Sequence, residues 1–154
     1  MIDLRQILSD EAVQNKHGLC SLLFNNYRIN FPETVFDLRY VEEKIQGMIQ
    51  YLQEEKAIVF GAFDDSQLIG FVWGFERHFF NEKRFHLNEL IVAEEHRGRK
   101  IGRQLVGMFI DAAKRRNIQV VDLFCMVDNA NAIRFYQKMD FEIERYQMCL
   151  NLTK

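Results

Sequence analysis

The segment Glu94-Glu95-His96-Arg97-Gly98-Arg99-Lys100-Ile101-Gly102 concentrates residue types that hold anions. Arg97, Arg99, Lys100 and Arg103 put four positive charges within seven residues, a set suited to a pyrophosphate or phosphate monoester. Gly98 and Gly102 permit a ligand to approach the main chain closely. A turn here, opening a helix, aims unpaired N–H groups and the positive end of the helix dipole outward. Taken alone, the same residues also describe a solvated basic turn that caps a helix. Neither nucleotide phosphate-loop pattern, GxGxxG or GxxxxGK[ST], is present. Two further sets could do chemistry. Glu89 is a carboxylate set among Leu87, Leu90 and Ile91, either a proton acceptor or an exposed residue on the outer face of a strand. Tyr136 lies in Asn129-Ala130-Asn131-Ala132-Ile133-Arg134-Phe135-Tyr136, where a phenol serves as a proton donor or as an amphipathic core side chain. Asn129 and Asn131 in that run are equally good helix caps.

The elements that must position these groups can be read from periodicity. Residues 2–7 predict a short strand, and Asp10–Asn25 a helix with Val13, Leu19, Leu22 and Leu23 at helical spacing. Residues 26–40, aromatic and broken by Pro32, read as loop or short turns. A second helix is predicted over Val41–Glu54, with Val41, Ile45, Met48, Ile49 and Leu52 on one face. Ala57–Phe63 and Gln67–Glu76 form a hairpin across Asp64-Asp65-Ser66. A third strand, Arg84–Val92, follows a loop at 76–83. It leads through the basic turn to a helix over Ile101–Arg116. Val120–Val127 is almost continuously apolar, as in a strand buried on both faces. A short helix over Asn131–Met139 precedes a closing pair of strands in Phe141–Leu152. This order gives a mixed α/β layout with a right-handed crossover expected between the parallel strands.

Joined in this order, the motifs resemble the GNAT superfamily of N-acetyltransferases. The family's acetyl-CoA signature, [R/Q]xxGxG/A, is approximated by Arg97-Gly98-Arg99-Lys100-Ile101-Gly102, with Lys100 where the signature has its first glycine. The family's Asn, then Ala-x-x-Phe-Tyr helix ending before Gly-Phe, is matched by Asn129 to Phe141, with Asp140 in the place of glycine. The resemblance covers about Ala57 to Leu152. It implies a single GNAT domain, residues 1–154. The implied fold is a central, mostly antiparallel sheet of six to seven strands splayed between strands 4 and 5, flanked by about four helices. It also implies coenzyme A as cofactor, carried as acetyl-CoA. Main-chain groups of Leu90, Ile91 and Val92 would pair with the pantetheine arm, and the turn from Arg97 to Arg103 would bind the phosphates. Asn129, Asn131 and Tyr136 would complete the cofactor site. Tyr136 would protonate the leaving thiolate. Glu89 stands near the family's catalytic acid, which some members carry one residue earlier, at the position of Asn88. Arg134 and Lys138, spaced i,i+4, either reach the adenosine 3′-phosphate or face water.

Acyl transfer to an amine sets a proton problem. An alkylamine of pKa about 10.4 is neutral in only about one molecule in 2,500 at pH 7, so presenting the free amine costs about 4.6 kcal/mol unless a base or a water chain assists. The acceptor side is predicted from Phe31, Glu33, Phe36, Asp37, Arg39 and Tyr40 with the 76–83 segment, including Phe80. That mixture suits a small primary amine such as an amino sugar, an amino acid derivative or a polyamine. The alternatives are a peptide or protein acceptor, or a non-catalytic acetyl-CoA-binding regulatory module.

The bulk properties fit these expectations. The chain has 154 residues, 48% hydrophobic and 27% charged, with fourteen Phe, five Tyr and one Trp to fill a core. A net charge of −2 argues against a general nucleic-acid binder. No apolar run approaches the roughly 18–20 residues of a spanning helix, and the first residues lack the pattern of a secretory leader. A cytoplasmic protein without membrane partners is expected, as monomer or homodimer. Cys20, Cys125 and Cys149 are too scattered for a disulfide framework or a metal site, and Cys125, inside an apolar run, is expected to be a buried thiol. No metal is expected, since His17, His78, His86 and His96 form no ligand spacing.

Overall fold

The computed structural model describes all residues, Met1–Lys154, in two compact units, Met1–Leu123 and Phe124–Lys154. The first carries β1 (Ile2–Gln6), α1 (Ser9–Gln14), α2 (Lys16–Asn30), α3 (Leu38–Gln53), β2 (Ala57–Asp64), β3 (Gln67–Phe79), β4 (Glu82–Val92), α4 (Ile101–Arg115) and β5 (Val120–Asp122). A 3-10 turn, Glu94–His96, lies between β4 and α4. The second unit contains α5 (Ala130–Gln137).

The sheet runs β1-β2-β3-β4-β5, antiparallel until β5, which pairs parallel to β4. Ala57–Phe63 of β2 is buried at every position, which requires a layer on each face. One layer comes from α1–α3. Leu19, Leu23 and Tyr27 of α2 and Val41, Ile45, Met48 and Ile49 of α3 line up at i, i+4 and i, i+3 spacing and enter a single core with Val59, Phe71, Trp73 and Ile91. The other layer is α4, whose fully buried Phe109 stacks on Phe85 of β4 at 4.7 Å.

A bulge breaks the regular alternation of β4. Trp73 faces Glu89 and Gly74 faces Leu87, so Asn88 is an extra residue without a partner on β3. Phe85 packs on α4, and four residues on, an unbroken strand would point Glu89 the same way. Instead Glu89 faces α2, because one extra residue turns the chain by half a period. Gly74 makes room for this. A Cβ there would lie 2.2 Å from the His86 carbonyl oxygen and 2.3 Å from the Phe109 ring.

Several sequence expectations are corrected. The sheet has five strands rather than six or seven, and there are five α-helices rather than about four. The predicted first helix breaks at Asn15 into α1 and α2, and α2 continues to Asn30, so Tyr27 belongs to a helix and not to a loop. Residues 76–83 form the end of a hairpin, β3 running to Phe79 and β4 starting at Glu82. β5 stops at Asp122, five residues short of the prediction. Past that point Cys125 is exposed, not buried, since no strand neighbour covers it. Residues 141–152 form no strands. Their alternation of apolar residues is real, yet Tyr146, Met148, Leu150 and Leu152 are exposed. A period of two decides which side chains share a face, but a strand exists only when hydrogen-bonded to another. No helix is long and apolar enough to cross a membrane.

Candidate active site

The turn leaving β4 takes up the conformation its glycine-like positions demand. Gly98 has φ +78° and Lys100 φ +65°, both left-handed. Lys100 therefore adopts the glycine conformation with a side chain attached, at a cost of about 1–2 kcal/mol. A Cβ at Gly98 would meet nothing within 4 Å, so the space above it is open. The first bond of α4 runs from Gln104 N–H to the Lys100 carbonyl, 3.1 Å. The N–H groups of Arg99 to Arg103 find no protein acceptor. Arg99, Lys100 and Arg103 are exposed around them, while Arg97 donates from Nε to the Val92 carbonyl, 3.1 Å, and so ties the turn to the strand end. Free donors, a helix N-terminus and exposed cations make a site for a polyanion. The residues present fit the phosphates of a coenzyme A ester.

The strand behind the turn is paired on one side only. β5 covers Arg84, Phe85 and His86, so from Leu87 to Val92 the main-chain groups directed away from β3 have no strand partner. Leu90, Ile91 and Val92, expected to offer main-chain groups to a ligand, lie in this stretch. Ile91, Val92 and Arg97 also line a cavity of about 740 Å³ that extends to Asn25 and Arg28 of α2.

Glu89 lies on the same stretch, its side chain 15% exposed. Oε1 accepts a hydrogen bond from the Tyr27 hydroxyl, 2.8 Å, and Lys44 Nζ stands 3.9 Å away. Burial raises the Glu89 pKa above the ordinary carboxylate range, and the Tyr27 hydrogen bond and the Lys44 charge offset this in part. Burial and the adjacent carboxylate also hold the Tyr27 phenol far above its usual range, so it remains a donor. A carboxylate whose pKa is raised by burial in a cavity is a stronger base than an exposed one. The cavity beside it measures about 290 Å³ and is walled by Tyr51, Trp73, Phe75 and Asn88, among others.

Of the predicted acceptor residues, Phe31 and Phe36 gather around Tyr27, with ring centroids 6.1 and 4.8 Å from it, and Tyr40 joins them at 6.4 Å. Asp37 caps α3, accepting from Arg39 N–H at 2.8 Å. Glu33 is exposed between α2 and α3. Phe80 is not brought to this group. It sits exposed at the hairpin tip, φ +53°, on the order of 25 Å along β4 from Glu89 at the usual strand rise. Tyr27, Lys44, Tyr51, Trp73 and Phe75 were not picked out from sequence. The continued spacing Leu19, Leu23, Tyr27 would have found the first.

In the second unit Asn129 acts as a cap, its Oδ1 accepting from Ala132 N–H at 3.1 Å. Asn131 Oδ1 accepts from Arg134 Nη2, 2.6 Å. Tyr136 is half-buried, with its ring edge-on to Phe135 (5.0 Å) and Phe141 (5.5 Å). Asp140, standing where the resembled family has glycine, takes φ +66°. This left-handed turn ends the helix, with Phe141 N–H bonded to the Tyr136 carbonyl at 3.1 Å.

A helix N-terminus with free donors, a strand with an open edge and a buried carboxylate on that strand thus lie within one stretch of chain. The Acetyltransferase (GNAT) family matches residues 5–141, and the chain belongs to that family. An uncharacterized N-acetyltransferase of Methanocaldococcus jannaschii is 39% identical over 56 residues, 36% of this chain. That stretch is 25% of the relative's length, so the chain spans about a quarter of the curated relative it matches. Two solved structures share the fold. One is a PaiA N-acetyltransferase from Thermoplasma acidophilum in complex with coenzyme A (TM-score 0.76, 22% identity, covering 96% of this chain and 93% of that one). The other is an aminoglycoside N-acetyltransferase in complex with CoA (TM-score 0.76, 18% identity, covering 99% and 95%).

Proposed function

We propose that this protein transfers the acetyl group of acetyl-CoA to a primary amine of a small molecule, by direct attack within a ternary complex. The observation that carries this reading is the placement of three features along one strand. β4 presents the half-compensated carboxylate of Glu89, continues as an open edge through Leu90–Val92, and leads through the Glu94–His96 turn into the basic turn of Arg97–Arg103. When bound, acetyl-CoA supplies an activated acyl thioester.

The N–H groups of Arg99 to Arg103, with the Arg99, Lys100 and Arg103 side chains, hold the phosphates. The open edge at Leu90–Val92 aligns the pantetheine arm as an added strand would, and one of its N–H groups offers a donor to carbonyl charge. Glu89 takes the proton from the acceptor ammonium, and Tyr27 keeps the Glu89 carboxylate aimed. As an N–C bond replaced the C–S bond, Tyr136 would give its proton to the departing sulfur and regain, through solvent, the second proton that the nitrogen sheds on becoming an amide, a role that rests on the family match of its helix. Asn129 and Asn131 add hydrogen bonds to the cofactor's amides.

Titration with acetyl-CoA should raise the melting temperature, and thiol release should require an added amine. Binding without amine-dependent release would assign a regulatory module instead, and no binding would overturn the reading outright.

A further inference from the structure

The cavity beside Glu89 carries information about the acceptor. At about 290 Å³ it sits at the lower edge of the range for small-molecule sites, about 300–1,000 Å³. Only two of its lining side chains are charged, Lys44 and Glu89. The remainder are apolar, aromatic or amide. Tyr51, Trp73 and Phe75 form a continuous aromatic wall, with centroids 5.3 to 6.5 Å apart.

The two charges are loosely matched. Lys44 Nζ lies 3.9 Å from Glu89 Oε1, beyond hydrogen-bond range, and 6.0 and 5.7 Å from the Tyr27 and Tyr40 ring centroids. The Lys44 side chain is 36% exposed and has no other carboxylate partner. Glu89 Oε1 is occupied by Tyr27, while Oε2 accepts no hydrogen bond from the protein. An ammonium docking on Oε2 therefore brings a second cation beside Lys44. The neutral pair becomes a site with one excess positive charge in partly desolvated surroundings, which is unfavourable. A polyamine or a polycationic amino sugar makes the excess larger. An acceptor that also carries an anion restores the balance, its amine at Glu89 and its anion at Lys44.

We infer that Lys44 is a specificity-determining residue, and that the acceptors are small primary amines bearing a carboxylate or phosphate on an apolar or aromatic body. This rests on the reading that Glu89 receives the acceptor amine. Carboxylate and phosphate share the chemistry Lys44 recognises, and matched acceptors separate the two.

The test compares thiol release by the full chain for an alkylamine, a diamine, an amino acid and an aminoalkyl phosphate of equal chain length. An ion pair made through a hydrogen bond should favour the better of the two anionic amines by about tenfold or more in kcat/KM. The difference should fall mainly in KM, with the diamine last. Lys44→Met should flatten the ranking, and Lys44→Glu should turn it toward the diamine. A second readout is independent of turnover. The hydroxy-acid analogue of the favoured acceptor, lacking the amine, should stabilise the wild-type protein against heat and fail to stabilise Lys44→Met. A wild type that treats the four acceptors alike, or prefers the diamine, overturns the inference while leaving amine acetylation intact. So does a Lys44→Met ranking that matches wild type. If acetyl-CoA binds and no amine is acetylated, the reading at Glu89 fails and the inference falls with it.

Discussion

The two halves of β4 each hold a buried carboxylate network, and the networks have opposite character. In the half paired to β5, Asp122 is fully occupied. His86 Nδ1 lies 2.7 Å from Oδ1, and Arg77 and Arg84 donate to Oδ2 at 2.5 and 3.3 Å. Burial alone would raise the Asp122 pKa, but the hydrogen bonds of His86 and Arg77 and their charges outweigh it and hold it well below the ordinary carboxylate range. This network pins the three-residue β5 to its neighbours. In the open half, Glu89 has one phenol donor, one distant ammonium and one unused oxygen, and its pKa is raised. Complete compensation locks an acid into the frame. In the proposed reaction, incomplete compensation is what would let Glu89 exchange a proton and receive a ligand.

This contrast can be broken by substitution, and the largest effect belongs to Glu89. Glu89→Gln should lower kcat/KM by two to four orders of magnitude, about the worth of a positioned general base, with little change in melting temperature; activity and thermal denaturation measured together check this. Asp122→Asn should do the reverse, costing about 3 kcal/mol at neutral pH by removing the carboxylate charge shared by buried Arg84 and half-buried Arg77, with denaturant unfolding as the measure. The sign of its pH dependence follows from the lowered pKa. The unfolded chain binds the proton more tightly, so the stabilisation is complete above about 3.9 and is lost as the pH falls further toward the folded value. Wild type and variant should therefore converge in acid. Tyr27→Phe should be milder, several-fold in kcat, and should raise the apparent pKa of the Glu89 limb, because the lost hydrogen bond was lowering it. The smallest effect tests the turn. Lys100→Gly should stabilise by up to about 1 kcal/mol through relief of left-handed strain, whereas Gly98→Ala at φ +78° should destabilise by a similar amount. Melting temperatures distinguish the two.

The local backbone of the basic turn and of the short helix was readable in sequence because it depends on neighbouring residues. Lys100 and Asp140, which stand where the resembled motifs carry glycine, are both left-handed, as is Gly98, and α4 begins at Ile101 as its apolar spacing predicts. What escaped was non-local. The orientation of Glu89 is decided by the bulge at Asn88, and that bulge depends on Gly74, fourteen residues earlier on a neighbouring strand. Lys44 and Tyr27 reach Glu89 from two separate helices, and no spacing along the chain announces a meeting of that kind. The 141–152 segment failed for the converse reason. Its local alternation is strong, but local pattern cannot supply a pairing partner.

The most direct test of Glu89 as the base is the pH dependence of kcat at saturating acetyl-CoA and amine, for wild type and Glu89→Gln side by side. The wild-type profile should rise through a limb centred above the ordinary carboxylate pKa of about 4.3, and Glu89→Gln should lack that limb while remaining folded. Superimposable profiles for the two proteins would contradict the assignment.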